Sequence, residues 1–385
     1  MQNEHLCAKF EEHFASLSDP RVDRTKHHEL IDIMVIAVCC LLCGGEHFNH
    51  MAQFGRAKLD WFKTFLKLPN GIPSHDTFNR LFSALEPQQF LDCFQQWTQS
   101  LRQEMAREIV AVDGKALRRA VNQGQELAYI VSAWARENGL VLGQWKVADK
   151  SNEITAVPKL LRVLELSGCI VTVDAMGCQK KIAREIIEAD ADYVMALKGN
   201  HEVVHEEVKS FLDDAVAQTQ APAVPAEKLS GGVRSWVAHE TVEKDHGRIE
   251  TRRYYQSEDV DWFADREQWE GLRSVGMVEA VRELPGHRSV ERRYYLSSLE
   301  ADIETFARAV RGHWSVENQL HWVLDVQMGE DQSRARSGHA AENLATLRRL
   351  SLNLLKQDKV QKCGIKSKQL NAAWDHSYLL QLLAL

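Results

Sequence analysis

Long hydrophobic runs are scarce in this sequence of 385 residues. The longest, "LIDIMVIAVCCLLCGG" at Leu30–Gly45, is shorter than the roughly 20 residues that span a bilayer, and Asp32 interrupts its start. It follows the charged stretch "RTKHHE" at a distance from the N-terminus, which excludes a signal peptide. We therefore expect a buried helix, no membrane partner and a cytoplasmic location.

Cysteines are too scattered to suggest a zinc site. Of the eight, Cys40 and Cys43 form a CxxC pair within the apolar run, and no second pair accompanies them. A structural zinc site needs about four ligands, so we expect reduced core thiols instead. The sequence also lacks a collagen-like, heptad or solenoid repeat, which excludes those architectures.

An excess of positive charge is absent as well, since the formal net charge is −7. This balance argues weakly against a nucleic-acid partner. The charge is uneven, however, because residues 332–385 hold nine lysines and arginines against three acidic residues. A basic surface in this part of the chain is therefore compatible with the composition.

Residues 1–105 have a purely helical pattern. The sequence predicts one helix at Leu30–Cys43, a second near Lys58–Leu66, and a third that begins after Ser74, a good N-cap residue. This segment is the predicted helical N-terminal domain.

The third predicted helix has one apolar face and one polar face. Its apolar residues recur at the spacing of a buried helical face and are Phe78, Leu81, Phe82 and Leu85. Asn79, Arg80 and Ser83 would point outward. Such a helix could enter a DNA groove, or its polar face could be an ordinary solvated surface.

Strand patterns begin after residue 105. A short apolar strand at Ile109–Val112 is followed by the hairpin-like pair "AYIVSAWA" and "LVLGQWKVAD" around "RENG". Two further strands, "CIVTVDA" and "DYVMALKG", then alternate with the helical patterns "EITAVPKLLRVLEL" and "KKIAREIIEA". This order predicts an α/β fold with a mixed sheet that is covered on both faces, over residues 106–218.

A β-rich insertion is predicted over residues 219–300. It opens with the linker-like stretch "QAPAVPAEKLSGG" and continues with two segments that resemble strand pairs. Helical pattern returns near Asp302 and continues through "AENLATLRRLSLNLLKQ", so residues 301–385 are expected to be helical and basic.

The stretch "RGHWSVENQLHWVLDVQMGED", Arg311–Asp331, has an unusual polar stripe. If the stretch is an α-helix, four ionisable residues at four-residue spacing share one side: His313, Glu317, His321 and Asp325. The neighbouring apolar positions predict a core face and are Val316, Leu320, Val323 and Leu324. Trp314 and Trp322 are expected to pack.

Two predicted strands end in an aspartate, in "VAVDGK" and "VTVDAMG". Ligand sites of open sheets gather at strand ends, and Asp113 and Asp174 would repel each other there unless a cation lay between them. Carboxylate oxygens suit Mg²⁺ or Mn²⁺. The alternative for each aspartate is an ordinary turn or helix-cap role.

Cationic residues follow each aspartate. Lys115, Arg118 and Arg119 follow the first, and Lys180, Lys181 and Arg184 follow the second. Carboxylates that bind metal ions, next to cationic side chains that bind phosphate, suit a phosphodiester substrate. Two metal ions would hold the attacking and leaving oxygens of such a substrate. Glu317 is the candidate third carboxylate.

Several stretches, in order, are similar to motifs of a known family: "VDGKALR", "VTVDAMGCQKKIA", "YVMALKGNH" and "HWSVENQLHWVLDVQMGEDQSRAR". They resemble the DDE transposases of bacterial insertion sequences, and more narrowly the H-repeat-associated, ISAs-type branch. "GIPSHDTFNRLFSAL" resembles the helical domain that precedes the core in that branch. The resemblance covers most of the chain, and its motifs occur in the right order.

The resemblance implies a ribonuclease H-like core that is interrupted by a β-strand insertion before its last catalytic helix. It implies Asp113, Asp174 and Glu317 as catalytic, metal-binding acids with two Mg²⁺ or Mn²⁺ ions. The implied partner is double-stranded DNA at element ends and target, bound by a homodimer in association with the nucleoid. The implied reaction is strand cleavage followed by strand transfer.

Related transposases often place a Tyr, an Arg and a Lys around the third acid. The corresponding positions here are Val310, His313 and Leu324. The resemblance therefore leaves the phosphate contacts open. The further candidates beyond the cations named above are Lys198, Arg311, His313, Arg334 and Arg336.

Two alternative functions stay open at this stage. One is a catalytically inactive DNA-binding protein of the same fold. The other is a mononuclear metal enzyme with His313, Glu317 and His321 as ligands. If Glu317 is not the third acid, the nearest replacements are Asp325, Glu330 and Asp331.

Overall fold

The computed structural model describes residues 11–120, 129–147, 153–219, 236–245 and 248–385. The chain divides into two compact units. The first unit combines Met1–Glu104, Gly114–Asn152 and Val316–Leu385. The second unit combines Met105–Asp113 and Glu153–Ser315. The division into four consecutive segments that the sequence suggests stays a prediction.

The protein is a mixed α/β structure. In chain order its α-helices are α1 (Leu30–Leu42), α2 (Phe48–Ala57), α3 (Leu59–Phe62), α4 (His75–Ala84), α5 (Pro87–Leu101), α6 (Glu153–Arg162), α7 (Lys180–Glu188), α8 (Glu202–Thr219), α9 (Ile303–His313), α10 (Ala340–Gln357), α11 (Ile365–Trp374) and α12 (His376–Leu383). The 3₁₀ turns are Asp23–Thr25, Gly199–His201, Arg266–Gln268 and Glu330–Gln332. Two π-helical segments follow α9, at Val316–His321 and Val323–Gln327.

The β-strands extend from residue 109 to residue 297. They are β1 (Ile109–Ala116), β2 (Tyr129–Ala135), β3 (Leu140–Val147), β4 (Ile170–Val173), β5 (Asp192–Leu197), β6 (Trp236–Asp245), β7 (Arg248–Ser257), β8 (Ser274–Leu284) and β9 (His287–Ser297). The predicted strands and helices of residues 106–218 are present in the expected order. Helix α8 is an element that the sequence pattern did not predict.

The first unit is built around α1. Its residues from Asp32 to Leu42 are all buried, as the apolar run predicts. Asp32 is tolerated in this core because its Oδ2 accepts a hydrogen bond from the backbone N–H of Leu68 at 2.9 Å. In the described residues, no helix has both the length and the apolarity to cross a bilayer.

The CxxC pair lies at the end of α1 and forms no disulfide. Burial raises the pKa of the Cys43 thiol to about 12 and also raises the pKa of Cys40. Both thiols therefore stay protonated at neutral pH. Cys40 is buried and Cys43 is half-buried, and their reduced state stays a prediction.

The predicted helix after Ser74 is confirmed. The Ser74 Oγ accepts a hydrogen bond from the backbone N–H of Thr77 at 3.2 Å, and the predicted apolar face of α4 is buried. The predicted helix at Lys58–Leu66 is wrong in extent, since α3 ends at Phe62. The Thr64 hydroxyl donates to the carbonyl of Trp61 at 2.7 Å, which favours a turn instead of another helical turn.

Strands β2 and β3 form the predicted antiparallel hairpin of the first unit, in the order β3-β2-β1. Helix α10 covers it with polar as well as apolar side chains. The buried Asn353 amide accepts from the Val141 N–H at 2.8 Å and donates to the Val141 carbonyl at 3.0 Å. Among the described residues, no strand pairs with β3 on that side, and these bonds satisfy backbone groups there.

The second unit contains a sheet in the order β1-β4-β5-β9-β8-β7-β6. Strands β1, β4 and β5 are parallel, and β9 pairs with β5 in the antiparallel direction. The strands predicted for residues 219–300 are thus present and extend this sheet, and their interpretation as an insertion stays a prediction. The linker-like stretch "QAPAVPAEKLSGG" lies outside the described residues. Helix α9 packs on the sheet through Phe306, which joins a core with Ile109, Ile170 and Tyr295.

Candidate active site and phosphate-contacting residues

Asp113 lies on β1 and Asp174 directly follows β4, and these strands are parallel neighbours in the second unit. Val112 of β1 is the register partner of Val173 of β4, and each aspartate is the next residue along its strand direction. Adjacent strands are about 4.8 Å apart, so the two residues reach the same edge side by side. Both are partly buried. This pairing is what the sequence predicts for a carboxylate site.

The two aspartates differ in their backbone setting. Strand β4 ends before Asp174, as expected, whereas β1 passes through Asp113 and continues to Ala116. The prediction that Asp113 ends its strand is therefore wrong. The reason is that Leu117, just beyond β1, packs in a small core with Ile130 and Ala345, which keeps this part of the chain extended along the first unit.

Asp174 is held by the turn that follows it. Its Oδ1 accepts hydrogen bonds from the backbone N–H groups of Met176 at 3.0 Å and Gly177 at 3.1 Å. A Cβ at Gly177 would lie 2.9 Å from the Cβ of Val173, so only glycine fits. The Asn200 amide donates to the Ala175 carbonyl at 2.7 Å and braces the turn. Asp174 has the turn role that its sequence context suggested, and this role fixes its orientation.

The stretch after α9 is not the continuous α-helix that the sequence predicts. Helix α9 ends at His313, and the π-helical segments begin at Val316. Because a π-helix has more residues per turn, the four-residue spacing no longer gives one stripe. Glu317 is exposed, whereas His321 is buried. The core face is confirmed by its buried members, which are Val316, Leu320, Val323 and Leu324.

Trp314 and Trp322 are 46% and 51% exposed, so the expectation that both pack in a core is wrong. The ring of Trp314 is covered instead by the guanidinium of Arg293, whose Cζ lies 5.1 Å from the ring centroid. The π-helical turn changes the direction in which residues after Ser315 point, and sequence periodicity could not predict it.

The ionisable residues of this stretch have short contacts within their own units. In the second unit, His313 Nδ1 lies 3.1 Å from the Thr172 hydroxyl, which ties the end of α9 to β4 two residues before Asp174. In the first unit, Glu317 Oε2 lies 3.6 Å from His321 Nδ1.

Lys115 is the centre of an acidic cluster in the first unit. Its Nζ lies 2.6 Å from Asp325 Oδ1, 3.3 Å from Glu330 Oε2 and 3.1 Å from Asp331 Oδ1. Burial alone would lower the pKa of Lys115, but Glu330 and then Asp325 and Asp331 outweigh it and raise that pKa. The lysine therefore carries its charge and is already paired, which weakens its case as a phosphate contact.

Glu330 is fully buried and has a second cationic partner. The guanidinium of Arg349, also fully buried, donates from Nη1 to Glu330 Oε1 at 2.8 Å. Burial would raise the pKa of Glu330, yet Arg349, Lys115 and Arg348 together lower it to about 2. Sequence patterns did not predict this network. The signal was the pair Arg348-Arg349 in the middle of the apolar repeat of α10.

The remaining predicted cations fall into two groups. Lys180 is paired with Asp265 at 2.9 Å, and Arg311 is paired with Glu243 at 2.7 Å. The exposed group comprises Arg118, Arg119, Lys181, Lys198, Arg334 and Arg336. Exposed, solvated cations can exchange water for phosphate at low cost, so the second group is better suited to DNA contacts.

Two protein families match this chain over most of its length. The family described as "Transposase DDE domain" matches residues 104–354, and the family described as "DDE_Tnp_1-associated" matches residues 11–98. The chain belongs to the DDE transposase family. Membership implies a DNA substrate and transposition chemistry, for which this family typically uses a divalent metal.

Full-length relatives support the narrower branch. The chain is 36% identical to the "H repeat-associated putative transposase YhhI" of Escherichia coli K12, over 98% of each chain. It is 37% identical to the "Putative transposase YncI" of Escherichia coli O157:H7, over 97% of this chain and 94% of the relative. The resemblance to the H-repeat-associated branch is confirmed.

This DDE transposase departs from the pattern of related ones around Glu317, the predicted third acid. Val310 and Leu324, at the positions where others place a Tyr and a Lys, are 7% and 0% exposed. Both are core residues and cannot reach a phosphate. His313 stands at the position where others place an Arg. It is the one polar residue of the three, and its side chain contacts Thr172.

Proposed function

We propose that this protein binds the ends of an insertion-sequence-like element and performs metal-dependent strand cleavage followed by 3′-OH strand transfer. The observation that carries the proposal is the register of Val112 with Val173, because it delivers two carboxylates to one sheet edge. The parallel order β1-β4-β5 within the second unit supports a ribonuclease H-like core.

The donor set suits a hard divalent cation. Asp113 and Asp174 offer carboxylate oxygens from adjacent strands, and we assign Glu317 as the third acid on the family motif. Mg²⁺ or Mn²⁺, as one or two ions, would activate the attacking water and stabilise the charge that develops on the phosphodiester. The turn around Asp174 holds one ligand in place before any ion binds, which lowers the cost of assembling the site.

The acid cluster around Lys115 supports the choice of Glu317. The possible replacements, Asp325, Glu330 and Asp331, each lie within 3.3 Å of the Lys115 ammonium. Glu330 also pairs with Arg349 in a fully buried position. Acids that neutralise cations in a core are poor candidates for an exchangeable metal, whereas the Glu317 side chain is 52% exposed.

The exposed cations would hold the DNA backbone. Arg118, Lys181, Lys198 and Arg334 are examples, and binding through such residues weakens steeply with salt. Joining two element ends requires both to be held at once, so a homodimer on DNA is part of the proposal.

The test is a cleavage assay on duplex fragments from the genomic DNA that flanks this coding sequence. With Mg²⁺ or Mn²⁺, the wild type should nick at discrete positions, whereas Asp113→Asn, Asp174→Asn and Glu317→Gln should not. All three should still bind the fragments. Glu202→Gln, which alters an exposed acid at the start of α8, is the matched control and should cut normally.

The same assay separates the inactive alternative. Binding of the fragments without cutting in any divalent metal would favour a DNA-binding protein that has lost catalysis. Cutting by Glu317→Gln alone would show that the third acid is another residue and would leave the metal-dependent reaction in place.

A further inference from the structure

A groove of about 690 Å³, lined by polar and apolar side chains, lies within the first unit. It is lined by the start of α2, the start of α4 and the segment 332–337. Its volume is that of a site for a small organic ligand or a nucleotide. The acids of the proposed active site do not line this groove, and the proposed function assigns only the exposed cation Arg334 of its wall, as a general backbone contact.

The groove wall at 330–337 is fixed at both ends by glycines in the left-handed region. Gly329 has φ +63°, and a Cβ there would meet the Glu46 carboxylate at 2.8 Å. Gly338 has φ +49°, and a Cβ there would lie 2.3 Å from the carbonyl oxygen of Ser83. The backbone of α4 and the backbone of this segment therefore approach more closely than any side chain permits.

Hydrogen bonds join the two walls. The His339 N–H donates to the Ser83 carbonyl at 3.0 Å. The buried Asn343 amide donates to the carbonyls of Phe82 at 2.9 Å and Leu85 at 2.8 Å, at the end of α4. The groove is thus formed before a ligand arrives, which reduces the entropy lost on binding.

The groove presents donors for phosphate and for base edges. Arg334 and Arg336 are exposed on one wall, and the Nε of Arg336 is oriented by the Arg119 carbonyl at 3.0 Å. Asn79 lies on the other wall. The Ser83 hydroxyl donates to Asn79 Oδ1 at 3.3 Å, which leaves the Asn79 amide NH₂ to donate to a ligand. Glu46 is the acidic residue among the lining side chains.

We propose that this groove binds one nucleotide segment of a DNA strand, with Arg334 and Arg336 on its phosphates and Asn79 on a base edge. The inference rests on the proposed function and deepens it, because it assigns sequence preference to α4 and the segment 332–337. Guanidinium groups match phosphate geometry, and an asparagine amide discriminates bases through its hydrogen bonds.

The test is selection from a randomised 30-bp duplex pool, followed by affinity measurements at several salt concentrations. Arg334→Gln should bind every selected sequence about tenfold more weakly, and its salt slope should fall by about one. Asn79→Ala should keep its affinity for random duplex but lose discrimination at one or two base positions. Arg80→Gln is the matched control, since Arg80 is exposed on the same helix but does not line the groove.

The outcomes distinguish the groove from the protein's function as a whole. If the wild type selects a sequence but Arg334→Gln and Asn79→Ala behave like Arg80→Gln, the groove inference is wrong and the proposed function stands. If the wild type binds no duplex, both are wrong. Competition arms with single-stranded DNA, RNA and inorganic phosphate complete the test: binding of phosphate alone, or preference for RNA, would overturn the groove assignment.

Discussion

The ammonium of Lys115 lies 2.6 Å from the carboxylate of Asp325, in the first unit. Lys115 comes two residues after Asp113, and Asp325 follows the π-helical turn that carries Glu317. Two further acids, Glu330 and Asp331, face the same ammonium. A residue that the sequence suggested as a phosphate contact is thus a buried structural cation.

We predict that Lys115→Met destabilises the protein strongly. Removal of the shared cation leaves Asp325 and Asp331 without their nearest cation and leaves Glu330 with Arg349 alone, which should lower the free energy of unfolding by about 3 kcal/mol. Arg118→Gln is the control, because this exposed arginine lies 3.5 Å from Asp331 and should contribute less than about 1 kcal/mol. Urea denaturation would measure both. Equal effects for the two variants would contradict a buried network.

The Glu330–Arg349 pair predicts a loss of stability in acid. The folded pKa of Glu330 is lowered to about 2 from its ordinary 4.5. A depressed pKa stabilises the fold above pH 4.5, and this contribution is lost as the pH falls through 2. Wild type and Glu330→Gln should therefore differ most at neutral pH and converge below pH 3 in urea denaturation. A constant difference between them across pH 7 to 2.5 would exclude this titration.

Substitutions at Asp174 should separate its turn role from its catalytic role. Asp174→Asn retains an oxygen that can accept from Met176 and Gly177, so its stability should stay near that of the wild type. Asp174→Ala removes the acceptor and should cost about 1 kcal/mol. Both should abolish cleavage if the carboxylate binds metal. Thermal denaturation with the nicking assay tests this, and residual cutting by Asp174→Asn would argue for a turn role alone.

Metal content discriminates between the acid site and the histidine alternative. We expect purified protein to contain far less than one zinc per chain and to lose activity reversibly when Mg²⁺ is removed, since hard carboxylate ligands bind Mg²⁺ weakly and exchangeably. Elemental analysis and titration with Mg²⁺ after chelation check this. One tightly bound zinc per chain, lost in His321→Ala, would favour the histidine site.

Elements with a strong apolar period were predictable from the sequence. The run at Leu30–Leu42, the capped helix after Ser74 and the strand pair β2–β3 all have local signals that tertiary packing reinforces. The parallel alignment of Asp113 with Asp174 followed from the order of strands and helices. The family could be identified from its motifs because these motifs occur along this chain in the order that the family shows.

Other features depend on contacts between distant segments. The π-helical turns after α9 could not be predicted from the spacing of polar residues. A four-residue spacing places side chains on one face only if the segment is an α-helix, and this segment is π-helical. The burial of Lys115 and Arg349 could not be predicted from the sequence either. Each is a charged residue whose partner lies elsewhere in the sequence, and single-residue patterns assign such residues to the surface.

The Asn353 amide has a consequence for how copies of this chain can associate. By bonding both the N–H and the carbonyl of Val141, it occupies backbone groups that an exposed outer strand would offer to a neighbour. Strand addition at this position of β3 would first have to displace a buried side chain. For the proposed homodimer we therefore expect a contact surface other than this position of β3, and we expect Asn353→Ala to expose these two backbone groups.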